Sequence, residues 1–260
     1  MSLRIRWIRL KLFSAGVALT TVCLSGVIAL NVCSAAAPPA ATAEQAADDR
    51  TPVPEGINDN FLNPDLDPDE WLKRFEVESR EVFAGRAEIM RVLNLQPGQR
   101  IADVGSGTGL YVAPFSRAVG KQGTVFAIDI SPRLIEFIGK RVEKEGLNNV
   151  TVIRSTEKSI TLPADSVDRV FVCDTYHHFE YHKAMLASIR DAMKPDAELI
   201  LIDFERIPGK SREFIMGHVR AGKDVVRSEV EAAGFELIEE VQVPQFEENY
   251  LLRFRRRNDP

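Results

Sequence analysis

Short apolar runs and amphipathic segments alternate along the chain from residue 100 onward. Five of the runs are typical of buried strands, and each ends at or near an acidic or polar segment; they span residues 101–104, 124–129, 150–153, 167–173 and 198–204. The segments between them have apolar residues at helical spacing, as in Leu134, Ile135 and Ile138. This alternation predicts an α/β fold with a Rossmann-like, doubly wound, mostly parallel sheet and right-handed crossovers.

Further helices and a hairpin complete the pattern. Trp71, Phe75 and Ile89 belong to an apolar set at mostly helical spacing, which predicts a helix over 69–95 that Gly85 is able to divide. Other helices are expected over residues 108–119, 131–146, 181–193, 212–221 and 224–233. Two late strands, 235–243 and 249–255, follow one another with no helix between them, which predicts an antiparallel hairpin.

The first 68 residues differ in composition from the rest. Basic residues end at Lys11, residues 12–32 contain no charge, and small residues fill 33–37. This pattern predicts a signal peptide or an N-terminal membrane anchor over 1–37. If the segment is cleaved, the rest of the chain is expected to be exported or periplasmic. If it is not cleaved, residues 12–32 are expected to anchor the chain to the inner membrane.

A linker and one folded domain are expected after that segment. Residues 38–68 are rich in Ala, Pro, Asp and Asn, which predicts a disordered linker, although 58–68 is able to dock as an extended arm. The folded domain is predicted to span 69–260.

Composition narrows the classes of function. The 260-residue chain has a formal charge of −5, which becomes −9 without residues 1–37, because that segment holds four basic and no acidic residues. An acidic body argues against non-specific nucleic-acid binding. Of the three cysteines only Cys173 lies in the body, so no disulfide is expected within it, and the sequence contains no CxxC or zinc spacing.

The strongest local signal for a ligand site lies in residues 103–109, Asp-Val-Gly-Ser-Gly-Thr-Gly. An apolar strand turns sharply toward a helix there, and the glycines let the backbone approach a ligand. Ligands of such sheets bind beyond the carboxyl ends of the strands. Acidic or polar segments at five strand ends therefore outline one site: Asp103, Asp129, 155–157, Asp174 and Asp203. A nicotinamide dinucleotide site is the nearest alternative, but its G-x-G-x-x-G fingerprint does not fit the early third glycine.

Later motifs, in order and at normal spacing, resemble a family. The chain is similar to the class I S-adenosylmethionine-dependent methyltransferases, of the type 11-like group, over residues 70–256. The resemblance rests on residues 103–109, 127–131, 162–170, 186–195 and 233–235. Residues 174–179 resemble a subgroup of exported bacterial methyltransferase-like proteins. The family implies a seven-stranded sheet with a reversed last strand.

The resemblance implies S-adenosyl-L-methionine as the cofactor and a set of contact residues. By matching position these are Asp103, Gly105, Ser106, Gly107, Asp129, Ile130, Thr156, Glu157 and Asp174. In the family's arrangement, residues 105–107 pass beneath the methionine portion and Asp103 serves its amino end. Asp129 accepts both ribose hydroxyls.

The same resemblance assigns the adenine end of the cofactor. Ile130 packs on the adenine, residues 156–157 lie near its edge, and Asp174 lies beside the cofactor. Lys158 departs from the family pattern, since relatives often have an acid at that position.

His177 and His178 are the candidate catalytic residues. A neutral histidine suits a general base near pH 7 when the acceptor is a hydroxyl or a protonated amine. The alternatives are that one of them only shapes the acceptor pocket, or that both are structural. His178 and His182, with Glu180 between them, offer two metal ligands at helical spacing, but no third ligand is evident, so no metal site is predicted.

Several other residues are secondary candidates. Asp203, His218 and Arg220 are each able to line the acceptor site or to be structural, and Tyr111 is able to cover the cofactor. Cys173 is expected to be a core residue. The acceptor pocket is expected from residues 58–83 and 205–223, which contain Trp71, Phe75, Phe214 and Met216.

Two functions follow from these observations. The first is methyl transfer from S-adenosylmethionine to an unidentified small-molecule or lipid-like acceptor. The alternative is an exported, non-catalytic binding module that retains the fold, because the cofactor is made in the cytoplasm.

Overall fold

The structure, a computed structural model, describes residues 50–257. The signal peptide or anchor predicted over 1–37 and the linker residues 38–49 lie outside the described residues. Within 50–257, none of the helices combines the length and the apolar character that crossing a membrane requires.

A seven-stranded sheet forms the centre of the described chain. Its strands are β1 (Arg100–Val104), β2 (Thr124–Asp129), β3 (Val150–Arg154), β4 (Val167–Cys173), β5 (Met193–Phe204), β6 (Phe235–Val241) and β7 (Asn249–Arg256). They lie in the order β3-β2-β1-β4-β5-β7-β6. β1 to β5 are parallel to one another, whereas β7 is antiparallel to its two neighbours, β5 and β6. The predicted fold class, including the antiparallel C-terminal hairpin, is confirmed.

Helices cover both faces of this sheet. They are α1 (Asp59–Leu62), α2 (Pro68–Phe75), α3 (Glu81–Ala84), α4 (Arg86–Leu93), α5 (Val112–Val119), α6 (Pro132–Glu145), α7 (His182–Ala192), α8 (Glu213–His218) and α9 (Lys223–Ala232). In β1, Ala102 and Val104 belong to one apolar core with Leu186 of α7, whereas Ile101 lies in a second core with Phe115 of α5. Burial on both faces explains why the strands are continuous apolar runs in the sequence.

The region before β1 is more broken than predicted. The prediction of a helix over 69–95 is wrong at residues 76–80, where the chain leaves the helical conformation. The predicted division at Gly85 is confirmed. The break brings Arg80 to an ion pair with Asp174. It also brings Glu81 to the loop that precedes β7. These tertiary contacts outweigh the helical spacing of the apolar residues.

Two element boundaries also differ from the prediction. α5 begins at Val112 and not at residue 108, because Gly107 and Gly109 have φ angles of +57° and +84°, which a right-handed helix excludes. β5 begins at Met193, five residues early, so Pro195 lies within a strand. β7 pairs with β5 only from Glu198 onward, and a proline is tolerated where a strand has no partner on that side.

Residues 50–68 are ordered, so the predicted disordered linker is wrong over this part of its range. Ile57 and Leu66 are buried, and α1 lies between them. The backbone N–H of Thr51 donates to the carbonyl of Glu180 at 2.6 Å. Docking of residues 58–68 was allowed for, as an extended arm, whereas in the structure this part contains the short helix α1. Docking of residues 50–57 was not expected from composition, because the few apolar side chains there bury themselves against the domain and not against each other. The folded part of the described chain therefore begins well before residue 69.

We predict that Glu81→Ala destabilises the hairpin. The Glu81 carboxylate accepts hydrogen bonds from the backbone N–H groups of Glu247, Glu248 and Asn249 at 2.9–3.1 Å. Loss of an acceptor for these groups should lower the free energy of unfolding in urea by about 1–3 kcal/mol. Glu78→Ala is the matched control, because the Glu78 side chain is 72% exposed and its single ion pair should contribute less than about 1 kcal/mol. Equal losses in the two variants would contradict this role for Glu81.

Candidate functional site

A cavity of about 770 Å³ opens at the carboxyl ends of the parallel strands. Every residue that the sequence analysis assigned to the cofactor or to catalysis lines it: Asp103, Gly105, Ser106, Gly107, Asp129, Ile130, Thr156, Glu157, Asp174, His177 and His178. β1 and β4 are neighbours in the sheet but not in the chain, so the strand order reverses between them. The cavity thus lies at the switch point where open α/β sheets bind ligands.

The glycine turn after β1 forms the floor of the cavity. Gly105 has a φ of +75°, and a Cβ atom there would lie 2.3 Å from the Thr175 side chain. The N–H groups of Gly105 and Ser106 donate to the carbonyl of Ile128 at 2.8 and 3.0 Å. The Ser106 hydroxyl donates to the carbonyl of Asp103 and accepts from the N–H of Ile128. The Ser106 side chain therefore ties the turn to β2.

Asp129 ends β2 and faces the turn. Its two carboxylate oxygens accept the backbone N–H groups of Gly107 and Ser131, each at 2.9 Å. Burial raises the pKa of Asp129 to about 6, although these backbone hydrogen bonds act in the opposite direction. Each oxygen has a further acceptor site, so the carboxylate is able to receive two ligand hydroxyls while it holds the turn.

Asp103 is the second buried acid of the cavity, at the end of β1. Its side chain is buried, with a relative exposure of 3% for the residue. Burial raises its pKa to about 7, the negative charge of Asp129 adds to the rise, and the neighbouring Ser106 side chain opposes it. A cationic group of a ligand beside Asp103 would favour the ionised form.

Asp174, by contrast, is bound by protein groups. It follows β4 with a φ of +48° and forms an ion pair with Arg80. Its other oxygen accepts the Asn249 side-chain amide at 2.7 Å. Burial raises the pKa of Asp174, and the Arg80 guanidinium opposes this shift. Asp174 thus joins three parts of the chain at the cavity wall.

His177 is fixed by Asp203, a secondary candidate of the sequence analysis. His177 lies on a short 3₁₀ turn, Tyr176–His178, and its Nδ1 lies 2.7 Å from Oδ1 of Asp203. The other Asp203 oxygen accepts the backbone N–H of His177 at 3.0 Å. Because the carboxylate is the acceptor, Nδ1 carries the proton, and in the neutral form of the ring the lone pair is then on Nε2.

His178 is fixed in a similar way by Asn58. Nδ1 of His178 lies 3.1 Å from Oδ1 of Asn58, and the Asn58 amide nitrogen donates to the His178 carbonyl. This second bond orients the amide, so its oxygen accepts and Nδ1 of His178 donates. The lone pair of His178 is then on Nε2, as in His177.

His218 completes a cluster with these two rings. It ends α8 and stacks on Phe214, and its ring centroid lies 5.1 Å from those of His177 and His178. Burial lowers the pKa of His178 well below its ordinary value and also lowers that of His218, and the neighbouring histidines act in the same direction. His178 and His218 are therefore neutral at pH 7.

Aromatic side chains form the wall beside the histidines. Phe61 lies 4.7 Å from Trp71 and 5.2 Å from His178 between ring centroids, and Trp71 lies 5.2 Å from Phe75. Phe214 also lines the cavity, whereas Met216 is not among its lining residues. Residues from both segments that were expected to build the acceptor pocket, 58–83 and 205–223, therefore line this cavity.

Of two further residues predicted for the site, one lines the cavity and one does not. Tyr111 lines the cavity and donates its hydroxyl to the carbonyl of Val82 at 2.6 Å, while Arg220 pairs with Glu229 outside it. The sequence analysis missed Asn58, Arg80 and Asn249. Asn58 and Arg80 lie in the segment 58–83 that was expected to contribute to the acceptor pocket, but no local signal singled them out, and Asn249 was an ordinary strand end.

The chain is similar to known methyltransferases. Residues 101–196 match a family model described as a methyltransferase domain. A ubiquinone/menaquinone biosynthesis C-methyltransferase, UbiE, from Wigglesworthia glossinidia brevipalpis is 26% identical over 111 residues, which is 42% of this chain and 44% of that protein. A demethylmenaquinone methyltransferase from Geobacillus kaustophilus is 26% identical over 127 residues, 49% of this chain and 54% of that protein. The chain spans about half the length of these curated relatives.

A solved structure covers more of the chain. The crystal structure of a SAM dependent methyltransferase from Aquifex aeolicus is similar with a TM-score of 0.63 and 28% identity. The similarity covers 72% of this chain and 97% of that one. It therefore extends beyond the region that the family model matches.

We predict opposite effects of alanine at two glycines. Gly105→Ala should lower the free energy of unfolding by about 1–3 kcal/mol or more, because the positive φ is strained for alanine and Cβ would overlap Thr175. Gly139→Ala is the matched control, since Gly139 lies within α6 and a Cβ there meets no atom within 4 Å. That variant should gain about 0.5–1 kcal/mol in urea unfolding. Equal effects would argue against the constrained turn.

We also predict that Asp103 makes the stability of the protein pH-dependent. Its pKa is about 7 in the folded chain against an ordinary value of 3.8, so the folded state binds the proton more tightly. The stability from this group is present below pH about 4 and is lost as the pH rises through about 7. Asp103→Asn does not titrate and should lose less stability over that range in urea unfolding. The exposed Asp196→Asn should follow the unmodified protein, and parallel curves for Asp103→Asn would contradict the pKa.

Proposed function

Because the chain belongs to the class I S-adenosylmethionine-dependent methyltransferases, we propose that it transfers a methyl group from S-adenosylmethionine to a small-molecule or lipid-like acceptor. The observation that carries this proposal is the convergence of the glycine turn, Asp103 and Asp129 in one cavity. Their positions at the ends of β1 and β2 also supply the chemistry that such a cofactor needs.

The residues at the turn fit the methionine and ribose portions of the cofactor. The space that a Cβ atom would fill at Gly105 lets the backbone approach a ligand closely. The buried carboxyl of Asp103, with its raised pKa, is suited to the ammonium group of methionine. Asp129 keeps acceptor capacity for the two ribose hydroxyls while it binds the turn.

Residues after β2 and β3 suit the adenine. Ile130 lines the cavity directly after Asp129 and offers an apolar surface to the ring. Thr156 and Glu157 line the same side and are exposed, so their polar atoms are available to an adenine edge. Lys158, the departure from the family pattern, packs its ammonium over the Tyr181 ring at 4.3 Å and leaves that edge to its neighbours.

Bound S-adenosylmethionine supplies a methyl group on a positively charged sulfur, and its transfer is an in-line displacement. The chain contributes mainly by holding the acceptor on that line and by excluding water. We assign His177 and His178 to contact with the acceptor, because both line the cavity and the Nδ1 of each is bonded to a fixed partner. Asp203 and Asn58 are the positioning residues behind them.

An aromatic, largely apolar acceptor suits the remaining wall of the cavity. Phe61, Trp71 and Phe214 provide flat apolar surfaces next to the histidines. Two curated relatives are named for demethylmenaquinone and for ubiquinone/menaquinone biosynthesis. These names support an acceptor that combines an aromatic ring with an apolar body.

We predict that Asp129→Ala abolishes binding of S-adenosylmethionine and of S-adenosylhomocysteine in isothermal titration. The substitution removes the acceptor of the ribose hydroxyls and the acceptor of the Gly107 N–H group. Asp196→Ala is the matched control, because Asp196 is exposed on β5 and does not line the cavity. Undiminished binding by Asp129→Ala would count against the assigned cofactor site.

A further inference from the structure

The three histidines of the cavity form a cluster that positioning of a methyl acceptor does not require. One ring nitrogen of each of His177, His178 and His218 lies within 4.8 Å of the others. Across residues 50–257, no other group of three or more His, Cys, Asp or Glu side chains has metal-binding geometry. His178 and His218 are 40 positions apart in the chain, so sequence spacing did not indicate a third ligand.

The hydrogen bonds behind the cluster are those that orient metal ligands. Asp203 accepts from Nδ1 of His177 at 2.7 Å, which is the carboxylate–histidine arrangement found behind many bound metals. Asn58 has the same relation to His178 through its amide oxygen. Both partners leave Nε2 as the lone-pair nitrogen, and neutral imidazole is the form that binds a metal.

The distances within the cluster are close to those of a filled site. Three imidazoles at about 2.1 Å from a tetrahedral ion have nitrogens about 3.4 Å apart. The separations in this chain exceed that value by at most about 1.4 Å. His218 lies at the end of the six-residue helix α8, and its ring stacks on Phe214, which is 58% exposed. The third ligand, His218, therefore lies on a surface helix, and a small shift of that helix would bring its ring nitrogen to the separation of a filled site.

We propose that His177, His178 and His218 bind a divalent transition metal ion, with Zn²⁺ as the best match to three neutral nitrogen ligands. Three protein ligands would leave one coordination position open, as in catalytic zinc sites, and the three histidines line the cavity. An oxygen or nitrogen of the methyl acceptor is able to occupy it. The ion would then lower the pKa of an acceptor hydroxyl, whose proton passes to water.

This role replaces that of a free histidine base. An imidazole whose unprotonated nitrogen binds the ion has no lone pair left to accept a proton. The role of the ion in methyl transfer rests on the proposed function, whereas the binding of the ion does not. The sequence analysis predicted no metal site, so the experiment that tests this proposal also tests that prediction.

The test uses the full chain, purified with an affinity tag that contains no histidine. Equilibrium dialysis against Zn²⁺, with metal analysis of the protein, should give one ion per chain. Co²⁺ in its place should give the visible absorption of a tetrahedral nitrogen site. His218→Ala should lose both signals. His182→Ala is the matched control, because it removes the only other histidine, which bonds to Thr51 outside the cluster, and it should keep them.

A second variant tests the site without removal of a ligand. Asp203→Asn keeps the shape of the side chain but weakens the acceptor behind His177, and we expect the affinity for Zn²⁺ to fall about 10–100-fold. Thermal unfolding of each variant shows whether it is folded. Absence of bound Zn²⁺ in the unmodified chain, or equal losses in His182→Ala and His218→Ala, would overturn the proposal.

Titration with S-adenosylmethionine separates this proposal from the proposed function. A chain that binds the cofactor but not Zn²⁺ refutes the metal site and leaves methyl transfer intact. A chain that binds Zn²⁺ through His218 but not the cofactor supports the metal site and refutes the proposed function.

Discussion

The reversal of the chain after β1 is the constraint on which the site depends. Gly105 adopts a positive φ against the Thr175 side chain, where a Cβ atom has no room. The turn is then bonded to β2 through Ile128 and Asp129. This bonding fixes the distance between the ends of two neighbouring strands, and it holds two buried carboxyls at one opening. The conformation of the turn thus determines the shape of the cavity floor.

The buried acids of the cavity divide into two kinds by their partners. Asp174 and Asp203 are satisfied by protein groups, Arg80 and Asn249 in the first case and His177 in the second. Asp103 has a pKa raised to about 7 and Asp129 one raised to about 6, because burial is incompletely offset by hydrogen bonds. Burial also raises the pKa of Asp174, although Arg80 opposes that shift. The three buried acids that the family resemblance assigns to the cofactor, Asp103, Asp129 and Asp174, therefore share a pKa raised by burial.

The sequence was sufficient where structure is local and insufficient where it depends on distant contacts. The five parallel strands, the hairpin and the turn were predictable, because continuous apolar runs, breakers and glycines determine them. The break at residues 76–80 was not, because it is stabilised by Asp174 and by the loop before β7. Residues 50–68 were misassigned for the same reason, since Asn58 gains its role only beside His178. His218 joined the cluster through tertiary structure alone.

The most direct test of the central claim is a crystal structure of the chain with S-adenosylhomocysteine. We expect the amino acid portion of the ligand to lie over residues 105–107 with its ammonium group beside Asp103. The two ribose hydroxyls should bond to the Asp129 carboxylate. A ligand bound outside the cavity, or a ribose bonded to groups other than Asp129, would contradict the assignment of the turn as the cofactor site.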